Sequence, residues 1–316
     1  GEASVSYGAS AGSREATVLL DRDPKRYNGK GMMMAVEITN KILSQLIVGM
    51  EAGEQQNIDQ KMIEADGTEN LSKYGGNAIL GVSMAVCRAQ ANEEKLELYE
   101  YLRKIYDLKK VGKLPKPMVV MIEGGKHADN TTDLQEYCMS ALGNKSAAEN
   151  VRMEMEIYQE LKKILKRDGL SINVGNEGAF APSGLTSNEK PMEYLVEAIV
   201  AADYSPGTDC GISLDAAASE FEERDSNLQF SIYNLQIEKK KLNSEELINY
   251  YCNWIEKYPF VSWEDMLSEF DWESWPILQS RINGKFPLIA DDLTVTNTKI
   301  WQKTIEFTGY FCQIIF

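Results

Sequence analysis

Three acidic positions each close a short apolar run. Asp215 follows Gly211-Ile212-Ser213-Leu214, Glu264 follows Phe260-Val261-Ser262-Trp263, and Asp291-Asp292 follow Pro287-Leu288-Ile289-Ala290. Runs of this length read as buried strands. In an α/β barrel or open α/β sheet, the C-terminal strand ends face the active site. Three carboxylates delivered there are hard oxygen ligands of the kind that suits Mg²⁺, which keeps several waters and takes a substrate oxygen too. Any one of them could instead cap the helix that follows it. Three successive strands ending in an acid favour the metal.

Two further segments are polar without resembling ordinary turns. One is Glu123-Gly124-Gly125-Lys126-His127-Ala128, with Gln135-Glu136 after it; the other is Asn173-Val174-Gly175-Asn176-Glu177-Gly178-Ala179. Glycines beside a histidine or a glutamate let the backbone approach a ligand closely. A lone histidine on a loop is more often solvated or satisfied within the fold than a ligand, so on spacing alone a ligand role for His127 is the less favoured of the two readings.

These residues need elements to hold them. Two prolines in Lys113-Leu114-Pro115-Lys116-Pro117 stop a helix and favour extended chain, which places a domain border there. Before it, Met32, Val36, Leu43, Leu46 and Ile47 recur at helical spacing, with Met32-Met33-Met34 expected to fill core. A second helical stretch opens at Asn77 and continues to Ile105, with a break expected near Ala91. Gly8-Ala9-Ser10-Ala11-Gly12-Ser13 reads as a mobile loop. After the border, strands are expected at 118–122, 135–141, 210–216, 260–264, 287–290 and 310–316, and helices at about 147–168, 188–203, 243–257 and 297–308. Asn243 with Glu246 makes a capping box for the third of these helices. Alternation of this kind predicts a mostly parallel sheet, open or closed. Lys239-Lys240-Lys241 reads as a solvated turn.

Composition narrows the function classes. The 316 residues carry 33 Lys+Arg against 48 Asp+Glu, a formal net charge of −15. That balance argues against a nucleic-acid binder, which needs a basic surface for phosphates. No apolar run approaches the ~18 residues of a membrane span, and no signal peptide is visible. Five scattered cysteines form no zinc spacing and no disulfide framework, which suits a reducing cytoplasm. A single histidine excludes multi-histidine zinc sites. Gly1 in place of Met, and the apolar end Ile314-Ile315-Phe316, give the expectation that both ends are cut or processed.

Taken together, the motifs resemble the enolase family, phosphopyruvate hydratase. The matching strings are Gly8-Ala9-Ser10, Asp66-Gly67-Thr68-Glu69-Asn70 and Gly76-Asn77-Ala78-Ile79-Leu80-Gly81-Val82-Ser83. They continue with Gly124-Gly125, His127-Ala128, Leu134-Gln135-Glu136, Asn173-Val174-Gly175 and Glu177-Gly178. The last are Ser219-Glu220-Phe221, Val261-Ser262, Glu264-Asp265 and Ala290-Asp291-Asp292-Leu293-Thr294-Val295-Thr296-Asn297. They stand in family order along essentially the whole chain.

The resemblance implies an α/β chain of two domains: a small N-terminal α+β domain over 1–114 lacking its first strands, and an incomplete (β/α) barrel over 115–316 lacking its last. It implies a lyase of glycolysis that dehydrates 2-phosphoglycerate, a small phosphorylated three-carbon acid, to phosphoenolpyruvate with Mg²⁺, as a cytoplasmic homodimer. Carried over residue by residue, Asp215, Glu264 and Asp291 would hold the first metal and Ser10 would reach the second. Glu177 would be the acid toward the leaving hydroxyl with Glu136 assisting. His127, Glu136, Glu264 and Asp291 would meet the substrate. The chain departs from the family at Ala11, Glu123, Lys126, Asn176 and Met266. Counted without gaps from Asp291, the family's base lysine falls on Phe316. The expectation is therefore a family member inactive by itself, or a non-catalytic enolase-like binding or assembly protein.

Overall fold

The computed structural model describes residues 1–6, 12–109, 112–223 and 231–308. Ser10, Phe316 and the strand expected at 310–316 lie outside the described residues. Contacts divide the chain into two units, Gly1–Lys113 and Leu114–Phe316.

The described helices of the first unit are α1 (Met33–Ile38), α2 (Ser44–Ile47), α3 (Gln55–Asp66), α4 (Gly76–Glu93) and α5 (Leu98–Ile105). A wide π turn, Thr39–Leu43, joins α1 to α2. Their core is Ala35, Leu43, Ile58, Met62, Ala78 and Ile79. One expectation is corrected here. Met33 and Met34 are 50% and 46% exposed and do not fill the core. Consecutive helical positions point about 100° apart, so three methionines in a row cannot all face inward; the inward position belongs to Ala35. The break expected near Ala91 falls between Glu93 and Leu98.

The second unit opens with β1 (Met118–Glu123) and β2 (Glu136–Ala141), followed by the long helices α6 (Ala147–Arg167) and α7 (Lys190–Ala201). Then come β3 (Cys210–Asp215), β4 (Glu222–Glu223), β5 (Ile232–Leu235), β6 (Lys240–Asn243) and α8 (Ser244–Cys252). β7 (Phe260–Glu264), α9 (Trp275–Ile282), β8 (Leu288–Ile289), α10 (Asp291–Thr294) and α11 (Thr298–Thr308) complete it. The main sheet has the order β1-β2-β3-β7-β8 and, among the described residues, does not close. It is mixed rather than mostly parallel: β1–β2 and β2–β3 are antiparallel, β3–β7 and β7–β8 parallel. β1 and β2 are joined by a loop with no crossover helix, and such a connection returns the chain antiparallel. The small antiparallel sheet β4-β5-β6 and helix α9 were not foreseen, because short polar strands give little periodicity. The capping box at Asn243 and Glu246 is formed at the start of α8.

Met153, Ile157, Leu161 and Leu165 of α6, with Leu195, Ala198 and Ile199 of α7, share one buried cluster with Met139, Ile212 and Leu214 of the strands. Each leucine, isoleucine or methionine among them stabilises by ~1.5–3 kcal/mol when fully buried. Trp263 anchors β7 among Tyr251, Phe260 and Phe286, with ring centroids 6.0, 5.1 and 4.9 Å away. The packed strands therefore hold their C-terminal ends fixed.

Candidate functional site

Strand register brings the acids together. Glu136 pairs with Asp215 across β2–β3, Asp215 pairs with Glu264 across β3–β7, and Glu264 pairs with Ile289, two residues before Asp291. Neighbouring strands lie ~4.8 Å apart, so these carboxylates stand side by side along one end of the sheet. Gln135 Nε2 donates to Asp215 Oδ2 at 3.2 Å, and Ala217 N donates to Asp215 Oδ1 at 2.8 Å. Ala217 sits in the left-handed region with φ 45°, an uncommon conformation for alanine and of the kind that gathers at functional sites.

Asp265, one residue past Glu264, is buried and positions the next acidic turn. Its Oδ2 accepts from Asp292 N at 3.0 Å, while its own N donates to Ile289 O at 3.2 Å. The end of β7 is thus tied to the residues that carry Asp291.

The His127 and Glu177 loops meet at the end of β1. Gly125–His127 form a single 3₁₀ turn, which buries His127. Glu123 N donates to Phe180 O at 2.9 Å and Phe180 N donates to Met121 O at 3.0 Å, so the second loop lies along β1. Tyr158 of α6 stacks on Phe180 at 4.3 Å, and its hydroxyl donates to Gly178 O at 2.8 Å. Asn176 N donates to His127 O at 3.2 Å. A Cβ on Gly175 would lie 2.5 Å from the Glu123 carboxylate and 2.7 Å from His127 O, so no side chain fits there. The result is a compact trio. His127 Nδ1 lies 3.3 Å from Glu136 Oε1 and 3.7 Å from Glu177 Oε1.

The electrostatics follow from burial and like charge. The Glu136 carboxyl is pushed up to about 9 by loss of water and by the charges of Asp215, Glu177 and Glu264. Asp215 is pushed up to about 7 and Glu264 to about 8 by the same two causes, the latter with Asp215 as its first charged neighbour. Asp265 is raised well above the usual carboxylate range, foremost by burial. Among the described residues no lysine or arginine ion pair neutralises Asp215, Glu264 or Asp291. A row of hard oxygen donors that repel one another fits a divalent cation in chemistry and in charge, although Asp215, Glu264 and Asp291 do not bring one oxygen each within 4.8 Å of one another.

Of the residues foreseen from sequence, Glu136, Asp215, Glu264 and Asp291 lie along adjoining strand ends, and His127 and Glu177 join Glu136. Ser10 lies outside the described residues. Three contributors were missed. Glu123, fully buried, accepts from Ala179 N at 2.8 Å and from Glu177 N at 3.3 Å and so fixes the Glu177 loop. It closes the run Met118–Ile122 as the other acids close theirs, and that signal was present in the sequence. Asp265 and Gln135 carry no signal of their own beyond adjacency to Glu264 and Glu136. Lys126 is paired with Glu220.

Two family descriptions match the chain: "Enolase, N-terminal domain" over residues 1–102 and "Enolase, C-terminal TIM barrel domain" over residues 111–315.

Proposed function

The chain belongs to the enolase family, and we propose that it is a lyase for the Mg²⁺-dependent, reversible dehydration of 2-phosphoglycerate to phosphoenolpyruvate in glycolysis. The observation that carries this reading is the register that sets Glu136, Asp215 and Glu264 side by side. Asp215, Glu264 and Asp291 would hold the cation, and Ser10 would reach a second one. When bound, Mg²⁺ supplies positive charge against the negative charge that develops as the proton beside the carboxylate leaves; that is the general chemistry of enolase-superfamily sites.

The chain's own residues account for the other half of the reaction. Glu177 gives a proton to the departing hydroxyl. Glu136, whose carboxyl is raised by burial and by the charges of Asp215, Glu177 and Glu264, stands beside the same imidazole. His127, held by the 3₁₀ turn and by Asn176 N on its carbonyl, orients the substrate. A cytoplasmic homodimer completes the proposal, on family grounds. In the described chain, no helix is long and apolar enough to cross a membrane.

Removal of a proton from carbon needs a base within hydrogen-bond reach. The position counted for it is Phe316, whose ring accepts no proton. Losing a general base lowers rates by about 10²–10⁴-fold. The 316 residues by themselves are therefore expected to produce no measurable phosphoenolpyruvate by absorbance at saturating Mg²⁺. Turnover at about one per second or faster, abolished by Glu177→Gln, would overturn the assignment of the base. Phe316 also favours a second reading, a non-catalytic enolase-like binding or assembly protein. That reading predicts no Mg²⁺-dependent affinity for 2-phosphoglycerate, whereas the lyase reading requires it.

A further inference from the structure

His127, Glu136 and Glu177 differ in kind from the carboxylates beside them. Their ligand atoms all lie within 4.8 Å of one another, and among the described residues no other group of three acids, histidines or cysteines does so. One donor is an imidazole nitrogen, which shifts preference away from Mg²⁺ and toward the borderline ions. One of the two spacings matches a tetrahedral zinc edge. Zn–N and Zn–O bonds of ~2.0–2.2 Å make tetrahedral edges of ~3.3–3.5 Å. Octahedral Mg–O bonds of ~2.0–2.1 Å make edges of ~2.8–3.0 Å. The observed separations from His127 Nδ1 are 3.3 and 3.7 Å.

The donors are also held in place. Cys138 Sγ, 3.7 Å away, donates to Glu136 Oε2, so that Oε1 is the atom turned to the imidazole. Glu123 and Tyr158 fix the loop that carries Glu177. Glu177 is 42% exposed, which leaves an entry path and an open fourth position.

We propose that His127 Nδ1, Glu136 Oε1 and Glu177 Oε1 form a three-ligand site for Zn²⁺, separate from the carboxylates Asp215, Glu264 and Asp291. Zn²⁺ there occupies Glu177 and His127 together. The site does not rest on the reaction proposed above, and it can be tested without turnover.

His127 is the only histidine in the chain, so imidazole ¹⁵N resonances report on this site alone. The experiment titrates ¹⁵N-histidine-labelled chain with Zn²⁺ at saturating Mg²⁺. The expected result is a shifted, slowly exchanging Nδ1 resonance complete at one equivalent, unchanged by Mg²⁺ alone. Glu136→Gln and Glu177→Gln should each weaken Zn²⁺ at least about 10-fold, and Asp215→Ala should change it only a few-fold. The metal-free imidazole signal and circular dichroism show whether each variant is folded. An Nδ1 resonance unmoved at one equivalent overturns the proposal, even if calorimetry records Zn²⁺ heat from thiols or from the strand-end carboxylates. Loss of the shift in folded Asp215→Ala overturns it too.

Discussion

The Glu123 carboxylate accepts two backbone N–H groups from the Glu177 loop, and hydrogen bonds to a buried charged group contribute about 1.5–3 kcal/mol each. Glu123→Gln keeps the shape and an oxygen at the position that accepts both N–H groups, but it removes the charge and sets an N–H₂ against the second, longer contact of Glu177 N with Oε2. We expect it to lower stability by about 2–3 kcal/mol, read as a fall in the urea midpoint with unchanged slope. An unchanged midpoint would show that the loop is held by Phe180 and Tyr158 alone. Residue types at strand ends were legible from sequence, and so were His127 and Glu177 within their glycine loops. What each carboxylate does was not. Glu123 and Asp265 fix neighbouring turns through backbone N–H groups, whereas Asp215 and Glu264 lie side by side and, among the described residues, without a neutralising lysine or arginine, an arrangement that only the register shows.

At the scale of elements, α6 carries an acid that the site does not use. Glu154 is fully buried among apolar neighbours, and neither of its carboxylate oxygens has a hydrogen-bond partner. Burial pushes its carboxyl up to about 7. A folded-state pKa above the unfolded value means that the native chain holds the extra proton. Its stabilising effect is complete below about 4.5 and is lost as pH rises through about 7. The loss is of the order of 3 kcal/mol, at ~1.4 kcal/mol per pH unit. Glu154→Gln should therefore flatten the fall in melting temperature between pH 5 and 8 and raise it at pH 8. Parallel pH profiles for the two proteins would contradict this. The helices and the main strands were readable because their apolar spacing is strong. The sheet β4-β5-β6 was hidden, since Glu222–Glu223 and Lys240–Asn243 are short and polar and gain their place from pairing with Ile232–Leu235. Strand direction was misread for a related reason: alternation of strand and helix does not reveal that β1 returns to β2 through a loop alone.

For the whole molecule, the family was legible because its motifs recur in order along the chain, and the match over residues 1–102 and 111–315 agrees. A net charge of −15 concentrates repulsion where acids converge, and it is this convergence that the account turns into function. On the proposed reading, Asp215, Glu264 and Asp291 at the ends of β3, β7 and β8 hold Mg²⁺ and, through it, 2-phosphoglycerate. Titration calorimetry tests it directly, adding Mg²⁺ and then 2-phosphoglycerate to the chain and to Asp215→Ala. The unaltered chain is expected to bind Mg²⁺ and to bind 2-phosphoglycerate only once Mg²⁺ is present, and the variant to lose Mg²⁺ affinity by at least about 10-fold. Equal Mg²⁺ heats from both proteins, or 2-phosphoglycerate binding that is indifferent to Mg²⁺, would contradict it.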